Sequence, residues 1–317
     1  MDDPIDEFSF LSDQAADAGV EGPLPRGERL SLSLPDGRVL SALRWNPPGA
    51  RDDAPVVTFL HGAGLNAHTW DTTIIALGLP ALAIDLPGHG DSSWREDAAY
   101  VGRTLAPDVA AGVRAWTEGP QVLVGQSLGG LTAAAVAAAR PDLVRELVVI
   151  DITPGLDTKG GADELRRFFA GPADWASREE LTERALAFGF GGSPAATARG
   201  VYFNSRVRPD GRVEWKHHFA HIANALAQSP DASDAAAARE DAVSAVVGDA
   251  GWEDLAAVEA PITLLRGERG YLTDDDEEEF ARRLPAASVV TVPARHNVQE
   301  DIPADLAARI RALAGNN

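Results

Sequence analysis

The chain has 317 residues, of which 45% are hydrophobic, so it can bury a large core and carry an inserted subdomain. Its formal net charge of -20 argues against partners that are nucleic acids or anionic membrane surfaces, because both are polyanions. The absence of cysteine excludes disulfides, thiol nucleophiles and thiolate metal sites. A small, neutral molecule is therefore the expected partner.

The N-terminal residues predict an arm rather than a targeting segment. Residues 1–7 lack the basic region and apolar core of a signal peptide, and no apolar run is long enough to span a bilayer. We therefore expect a cytoplasmic protein. Residues 1–26 are acidic, interrupted by Gly and Pro and only weakly periodic, which predicts an acidic arm on the surface.

The next segments predict an α/β fold. Residues 29–34 and 38–45 alternate with period two around Pro35-Asp36-Gly37, which indicates an antiparallel hairpin. Short apolar runs typical of strands buried on both faces follow at 56–60, 81–84, 122–124, 147–150, 262–265 and 289–292. Helical patterns separate them, at 108–116, 128–140, 274–284 and 302–313. This order predicts a mostly parallel sheet with an opening antiparallel hairpin and helices on both faces.

The alternation stops between residues 153 and 252, where helical patterning dominates. An insertion at the carboxyl ends of parallel strands lies over the edge where open α/β sheets bind ligands. We therefore predict a mainly helical cap at 153–252, inserted into a core formed by 27–152 and 253–317. The predicted cap is rich in aromatic residues, namely Phe168, Phe169, Trp175, Phe188, Phe190, Tyr202, Phe203 and Trp215.

The pentapeptide Gly125-Gln126-Ser127-Leu128-Gly129 joins a predicted strand to a predicted helix of small residues. G-x-S-x-G in that context is typical of a nucleophile elbow, in which a strained turn exposes the serine oxygen. A side chain at Gly125 or Gly129 would collide with the turn. We therefore predict that Ser127 is a nucleophile.

The segment His61-Gly62-Ala63-Gly64 follows another predicted strand. The backbone N–H groups of Ala63 and Leu128 are the expected oxyanion donors, and His61 is expected to make structural hydrogen bonds. An ordinary glycine-rich turn is the alternative.

His296 follows the last predicted strand and precedes the last helix, so it should lie at the same sheet edge as Ser127. We predict that His296 is the general base, and a buried structural histidine is the alternative. His217 and His221 share one helical face, as zinc ligands can, but no third ligand accompanies them. The sequence thus predicts neither a metal nor a cofactor.

Four segments together resemble the α/β-hydrolase superfamily, from about Leu30 to the C-terminus. They are HGAG at 61–64, DLPGHGDS at 85–92, VGQSLGG at 124–130 and PARH at 293–296. The resemblance implies a serine, acid and histidine triad and a cap after the sixth strand. Haloalkane dehalogenases and epoxide hydrolases of this fold carry aspartate where this chain has Ser127, whereas esterases, lactonases, C–C bond hydrolases and perhydrolases carry serine.

The triad acid is where this chain departs from the family pattern. The position that usually holds the aspartate, after the seventh strand, falls on Gly270. Some members carry the acid at the end of the sixth strand, where this chain has Asp151, so we predict Asp151 as the acid. A structural aspartate that binds the loop to the cap is the alternative. The run Asp274, Asp275 and Asp276 is expected to stabilise the start of a helix.

These features predict a serine hydrolase of the carboxylesterase or lactonase type, acting on a small neutral ester or lactone through an acyl-enzyme. One alternative is a C–C bond hydrolase or a perhydrolase-like enzyme of the same fold. Another is a receptor-like binding protein whose catalysis has decayed, which Gly270 favours and the presence of Ser127 and His296 opposes.

Overall fold

The computed structural model describes residues 6–50, 53–155, 172, 174–187, 192–227 and 251–315. Within these ranges the strands are, in chain order, β1 (Arg26–Ser33), β2 (Val39–Asn46), β3 (Val57–Leu60), β4 (Ala81–Asp85), β5 (Gln121–Gln126), β6 (Val144–Ile150), β7 (Asp174–Trp175), β8 (Ser205–Val207), β9 (Val213–Trp215), β10 (Ile262–Arg269) and β11 (Ser288–Arg295).

The helices of the same ranges are α1 (Leu11–Asp17), α2 (Asp71–Leu77), α3 (Gly102–Trp116), α4 (Leu128–Ala139), α5 (Arg178–Ala187), α6 (Pro194–Asn204), α7 (His218–Ala227), α8 (Gly251–Ala257), α9 (Asp274–Arg283), α10 (Val298–Asp301) and α11 (Pro303–Gly315). Short 3₁₀ turns cover Ala67–Trp70 and Pro141–Leu143. Each of the described helices is too short or too polar to cross a membrane.

The main sheet has the strand order β1-β2-β4-β3-β5-β6-β10-β11. Strand β2 is antiparallel to β1 and to β4, whereas β4, β3, β5, β6, β10 and β11 are parallel to one another. The predicted fold, a mostly parallel sheet with an opening antiparallel hairpin, is therefore confirmed. Several strands extend beyond their predicted runs. Strand β5 runs from Gln121 to Gln126 and is buried throughout, and its ends were missed because buried Gln and Gly do not extend an apolar run.

Alternate residues of the parallel strands enter two separate cores. Leu60, Leu82 and Leu123 join the core that α3, α4 and α9 cover, whereas Phe59, Ala83 and Val124 join the core that α2 and α11 cover. Successive side chains of a strand point to opposite faces, so a strand buried on both faces must be apolar throughout. This packing leaves the carboxyl edge of the sheet for polar loops.

The described residues of the predicted cap form a small antiparallel sheet of their own, in the order β7-β9-β8. Trp175 and Trp215 are buried with Leu181 and Val213 in a local apolar cluster, so these aromatic residues stabilise the segment itself. Phe168, Phe169, Phe188 and Phe190 lie outside the described residues.

This segment packs on the loops that follow β3 and β4. The amide of Asn204 donates a hydrogen bond to the carbonyl of Gly64, and the N–H of His218 donates to the carbonyl of Gly88 at 2.8 Å. The indole of Trp94 donates to the carbonyl of Lys216 at 2.9 Å. Both loops lie at the carboxyl ends of parallel strands, which is the edge that we expect the cap to cover.

The N-terminal residues are packed more closely than the sequence indicates. Helix α1 buries Gln14 and Ala15, and Phe8 contacts Trp45 edge to face with ring centroids 5.4 Å apart. Phe10 contacts Phe203 of α6 in the same manner. Only a few apolar residues make these contacts, so the sequence shows no clear periodicity there.

A network of charged side chains holds this arm to the core. The Glu7 carboxylate accepts hydrogen bonds from Arg29 at 2.6 and 2.9 Å and from His68 Nε2 at 3.1 Å. His68 Nδ1 donates to Asp71 at 2.8 Å. Burial opposes the charge on Glu7, but the hydrogen bonds from His68 and Arg29 outweigh it and lower the pKa of Glu7 to about 2.

His68 is charged at neutral pH. Burial disfavours the imidazolium, but the carboxylates of Asp71 and Glu7 outweigh this cost and raise the pKa of His68 to about 9. Since this pKa lies above the ordinary value of 6.5, the contribution to stability is complete below pH 6.5 and is lost as the pH rises through 9.

We therefore expect the free energy of unfolding of the wild type to fall as the pH rises from 6.5 to 9. The fall should exceed that of His68→Gln over the same range by on the order of 2 kcal/mol. Urea unfolding at several pH values measures this difference. His221→Gln, which removes a histidine outside the network, is the matched control and should follow the wild type. Parallel curves for wild type and His68→Gln would contradict the assigned network.

Candidate active site

Ser127 lies at a strained turn between β5 and α4. Its backbone has φ 52° and ψ -123°, in the region of positive φ that residues with a side chain rarely occupy. A Cβ atom at Gly125 would lie 2.2 Å from the carbonyl oxygen of Gly129, so only glycine fits there. A Cβ atom at Gly129 would lie 2.3 Å from the carbonyl oxygen of Leu60, at the end of β3. The turn therefore has the geometry of a nucleophile elbow.

The loop after β3 approaches this elbow closely. A Cβ atom at Gly62 would lie 2.1 Å from the Gln126 side-chain oxygen and 3.3 Å from Cβ of Ser127. Within the described residues, neither the N–H of Ala63 nor that of Leu128 has a hydrogen-bond acceptor. Leu128 is the first residue of α4, whose opening N–H groups have no partner inside the helix. Both N–H groups remain available beside Ser127.

His61 uses both ring nitrogens in the backbone framework. Nδ1 donates to the carbonyl of Gly62 at 2.8 Å, and Nε2 accepts from the N–H of Leu86 at 2.9 Å. Burial outweighs the opposing hydrogen bond to Gly62 and lowers the pKa of His61 to about 4, so the ring is neutral at neutral pH. Its side chain connects the ends of β3 and β4, which is the structural role predicted from the sequence.

The sheet register aligns Ser127 with Asp151. Gln126 of β5 pairs with Ile150 of β6, and the N–H of Ser127 donates to the carbonyl of Ile150 at 3.0 Å. The N–H of Asp151 in turn donates to the carbonyl of Leu265 in β10 at 2.8 Å. The two residues therefore follow directly from neighbouring parallel strands.

His296, one residue beyond β11, reaches this edge and contacts Asp151. Its Nδ1 lies 2.7 Å from Oδ2 of Asp151, and the two side chains are 12% and 0% exposed. The contact uses Nδ1, so Nε2 remains for another partner. Asp151 and His296, which are 145 residues apart in sequence, are thus brought together as the sequence analysis predicts.

The Asp151 carboxylate is fully buried and well hydrogen-bonded. Oδ1 accepts from the N–H of Gly267 at 3.0 Å, and Oδ2 accepts from the N–H of Tyr271 at 2.7 Å as well as from His296. Asp151 has φ 50°, a conformation that aspartate tolerates better than most residues. These donors, which all lie outside the predicted cap, compensate the cost of burying the charge.

With Asp151 in place, position 270 has no room for a side chain. A Cβ atom there would lie 2.2 Å from Oδ1 and 2.3 Å from Oδ2 of Asp151. The carboxylate of Asp151 therefore takes the space in which a side chain at position 270 would begin. The missing aspartate at Gly270 and the presence of Asp151 are two aspects of one arrangement.

The acidic run after Gly270 belongs to the start of α9. Asp276 and Thr273 form a reciprocal capping box, and Asp274 pairs with Arg266 at 2.6 Å. These carboxylates have the helix-stabilising role that the sequence predicts.

Two residues near His296 escaped the sequence analysis. The Gln126 amide donates to the carbonyl of His296 at 3.4 Å and to Oδ1 of Asn297 at 3.3 Å, so it connects the elbow to the histidine loop. The Tyr271 ring stacks on the His296 ring, with centroids 3.6 Å apart and planes at 11°. Gln126 lies inside the recognised pentapeptide and could have been noticed, whereas nothing in the local sequence marks Tyr271.

Among the described residues, no three His, Asp or Glu side chains are placed to hold a metal ion. Nδ1 of His217 accepts from the N–H of Ala220 at 3.4 Å, and Nε2 of His221 lies 3.2 Å from the carbonyl of Trp215. These two histidines therefore form backbone contacts, which gives no support to the zinc alternative.

Comparison with known proteins agrees with this geometry. The sequence model of the alpha/beta hydrolase family matches residues 59–309. Esterase Rv0045c of Mycobacterium tuberculosis is 38% identical over 318 residues, covering 98% of this chain and 96% of that protein. 2-(Acetamidomethylene)succinate hydrolase of Mesorhizobium japonicum is 30% identical, covering 86% of this chain and 91% of that protein.

Solved structures show the same fold. The crystal structure of esterase Rv0045c from M. tuberculosis superposes with a TM-score of 0.78 at 37% identity, covering 98% of both chains. That of E-2-(acetamidomethylene)succinate hydrolase has a TM-score of 0.72 at 23% identity and covers 91% of this chain and 98% of that chain, a likeness of fold. The chain belongs to the α/β-hydrolase family and is an esterase-type hydrolase.

Proposed function

We propose that this enzyme is a serine esterase that cleaves small neutral esters or lactones through an acyl-enzyme, with Ser127, His296 and Asp151 as its triad. The observation that carries the proposal is the 2.7 Å contact between His296 and the buried Asp151, at the sheet edge where the strained Ser127 lies. A carboxylate in this position holds the imidazole in one tautomer and stabilises the imidazolium.

In the proposed acylation step, Nε2 of His296 removes the proton from Oγ of Ser127 as that oxygen attacks the ester carbonyl. The proton then passes from His296 to the leaving alcohol, and the acyl group remains on Ser127. Asp151 stays ionised and hydrogen-bonded to Nδ1 throughout. In a lactone the leaving alcohol stays attached to the acyl group, so the same bonds form and break.

The N–H groups of Ala63 and Leu128 would stabilise the oxyanion of the tetrahedral intermediate. Both lack an acceptor among the described residues, and Leu128 lies at the N-terminus of α4, where the helix dipole favours negative charge. Donors that need no rearrangement are most effective against charge that develops only in the transition state.

Water completes the cycle. His296 removes a proton from a water molecule as the water oxygen attacks the acyl carbon, and it then gives that proton to Oγ of Ser127. The acid product leaves as a carboxylate, and Ser127 regains its proton. Because the chain carries a net charge of -20, its field repels anionic molecules, which favours neutral substrates and release of the anionic product.

The rival functions have less support. Gly270 was the main sequence feature in favour of a binding protein with decayed catalysis, but the Asp151 carboxylate fills the space beside it. Esterase Rv0045c, at 38% identity over nearly the whole chain, favours ester cleavage over C–C bond hydrolysis or perhydrolysis.

We expect a fluorophosphonate probe to label the folded protein once and Ser127→Ala to abolish labelling, because only an activated serine beside oxyanion donors reacts rapidly. Mass spectrometry gives the stoichiometry and the modified residue. Ser193→Ala, which changes a serine that caps α6, is the matched control and should still be labelled. A panel of p-nitrophenyl esters, lactones and meta-cleavage-type diketones then identifies the substrate class. A folded wild type that neither reacts with the probe nor cleaves any of these compounds would refute the proposal.

Asp151→Asn should lower kcat for an ester by about two to four orders of magnitude while the fold persists, because an amide cannot stabilise the imidazolium as a carboxylate does. Steady-state kinetics measure the loss, and thermal unfolding verifies the fold. Asp274→Asn, which neutralises an exposed carboxylate at the start of α9, is the matched control and should retain wild-type kcat. An ester rate within a few-fold of wild type for Asp151→Asn would remove Asp151 from the triad.

Because the Asp151 carboxylate lies against Gly270, the triad acid can be moved from position 151 to position 270. Asp151→Gly should be inactive but folded, because glycine readily adopts φ 50°. Adding Gly270→Asp should then restore activity by roughly tenfold or more, since the space beside position 270 is empty and the new carboxylate starts next to it. Gly270→Asp combined with Asp151→Asn should give no such gain, because the amide still fills that space. Equal rates for the two double variants would show that position 270 cannot supply the acid.

A further inference from the structure

Tyr271 contacts both partners of the His296–Asp151 pair through different parts of the residue. Its ring lies nearly parallel to the His296 ring, with the centroids 3.6 Å apart. Its backbone N–H donates to the same Asp151 oxygen that His296 contacts, each at 2.7 Å. Tyr271 directly follows Gly270, whose lack of a side chain lets the chain pass against the carboxylate.

We propose that Tyr271 is a positioning residue for His296, a role that rests on the proposed triad. One imidazole edge is held by the Asp151 carboxylate, and one face is covered by the Tyr271 ring. Together these contacts limit both rotation about the Cβ–Cγ bond and tilt of the ring plane, so Nε2 keeps one direction while it exchanges protons.

The ring face of Tyr271 also stabilises a positive charge on His296. The face of an aromatic ring carries negative electrostatic potential and attracts a cation placed over it. During acylation His296 becomes an imidazolium, and the stacked ring favours that state over the neutral one. The effect adds to that of Asp151, because the carboxylate acts in the imidazole plane and the ring acts perpendicular to it.

Within the part of the chain that the structure describes, few other charged groups approach this pair. Asp151 is the carboxylate at the end of β6, and Tyr271 itself is the titratable group from the loop after β10. On the element that carries His296, Arg295 pairs with Asp301 at 2.6 Å, and Asn297 donates to Glu300 at 3.2 Å. Substitution of the Tyr271 side chain leaves the other groups in place, and Tyr271→Phe controls for the loss of its hydroxyl, so a change in pH dependence that only Tyr271→Leu shows is due to the ring.

The test compares Tyr271→Leu, which removes the ring and keeps the backbone N–H, with Tyr271→Phe, which keeps the ring and removes the hydroxyl. For an ester substrate, Tyr271→Leu should lower kcat by about two- to fivefold and shift the midpoint of the acidic limb of the kcat/KM profile down by about half a pH unit. The downward shift follows because His296 must be neutral to act as a base, and the ring stabilises its charged form. Tyr271→Phe should match the wild type in both quantities.

A second stacked pair supplies the matched control. Phe203 covers His68 with centroids 3.8 Å apart and planes at 8°, but it contacts neither Asp151 nor His296 through any described hydrogen bond or ring contact. Phe203→Leu should therefore leave the midpoint of the pH profile where it is in the wild type. If Tyr271→Leu does not fold, Tyr271→Met replaces it as the variant without a ring.

Nuclear magnetic resonance of the resting enzyme tests the stack without any substrate. The imidazole protons of His296, assigned by their loss in His296→Gln, should move downfield in Tyr271→Leu and stay near the wild-type position in Tyr271→Phe, because the ring current of a stacked aromatic shields them. This measurement remains informative even if the enzyme cleaves no ester, so failure of the proposed function is recognised separately by the absence of fluorophosphonate labelling. Unchanged shifts together with an unchanged pH midpoint in Tyr271→Leu would overturn the proposal, as would equal losses in the Leu and Phe variants.

Discussion

The burial of the Asp151 carboxylate is the constraint on which the proposed site depends. A fully buried charge is tolerated only where hydrogen bonds replace water, and here the donors come from the end of β10, from the loop after it and from His296. This buried carboxylate constrains the residues around it. Gly270 must lack a side chain, Tyr271 must turn its N–H inward, and His296 must present Nδ1 to the carboxylate.

The parallel sheet supplies the common edge at which these residues meet. Because β5 and β6 end in register and Leu265 of β10 pairs with Ile150, backbone hydrogen bonds align Ser127 with Ile150 and Asp151 with Leu265. Two residues at this edge have positive φ although they are not glycine, Ser127 and Asp151. Such conformations cost on the order of 1–3 kcal/mol each and persist only where the surrounding packing determines them. Here the sheet and the tightly packed glycines around the elbow provide that support.

Contacts outside the sheet connect the N-terminal arm to the segment inserted after β6. His68, in the turn that follows the Ala63 loop, is held by Glu7 of the arm and stacks on Phe203 of α6. Asp17 of α1 pairs with Arg199 of α6 at 2.6 Å. The arm, the turn and α6 therefore form one packed unit.

The sequence by itself determined the elements whose causes are local. Apolar runs predicted the parallel strands, the pentapeptide around Ser127 predicted the elbow, and the position of His296 after the last strand predicted its place at the sheet edge. These patterns can be read because backbone conformation and strand burial depend on neighbouring residues. The sequence also favoured Asp151 as the acid, but it left a structural aspartate as the alternative.

Only the tertiary structure decided which carboxylate contacts His296, because that contact joins residues 145 positions apart. It also showed that Gly270 makes room for Asp151, that Tyr271 covers the imidazole and that the acidic arm is packed against the core. No local pattern encodes these features. Each depends on how distant strands align and on which side chain fills a particular space, and both follow from packing of the whole chain.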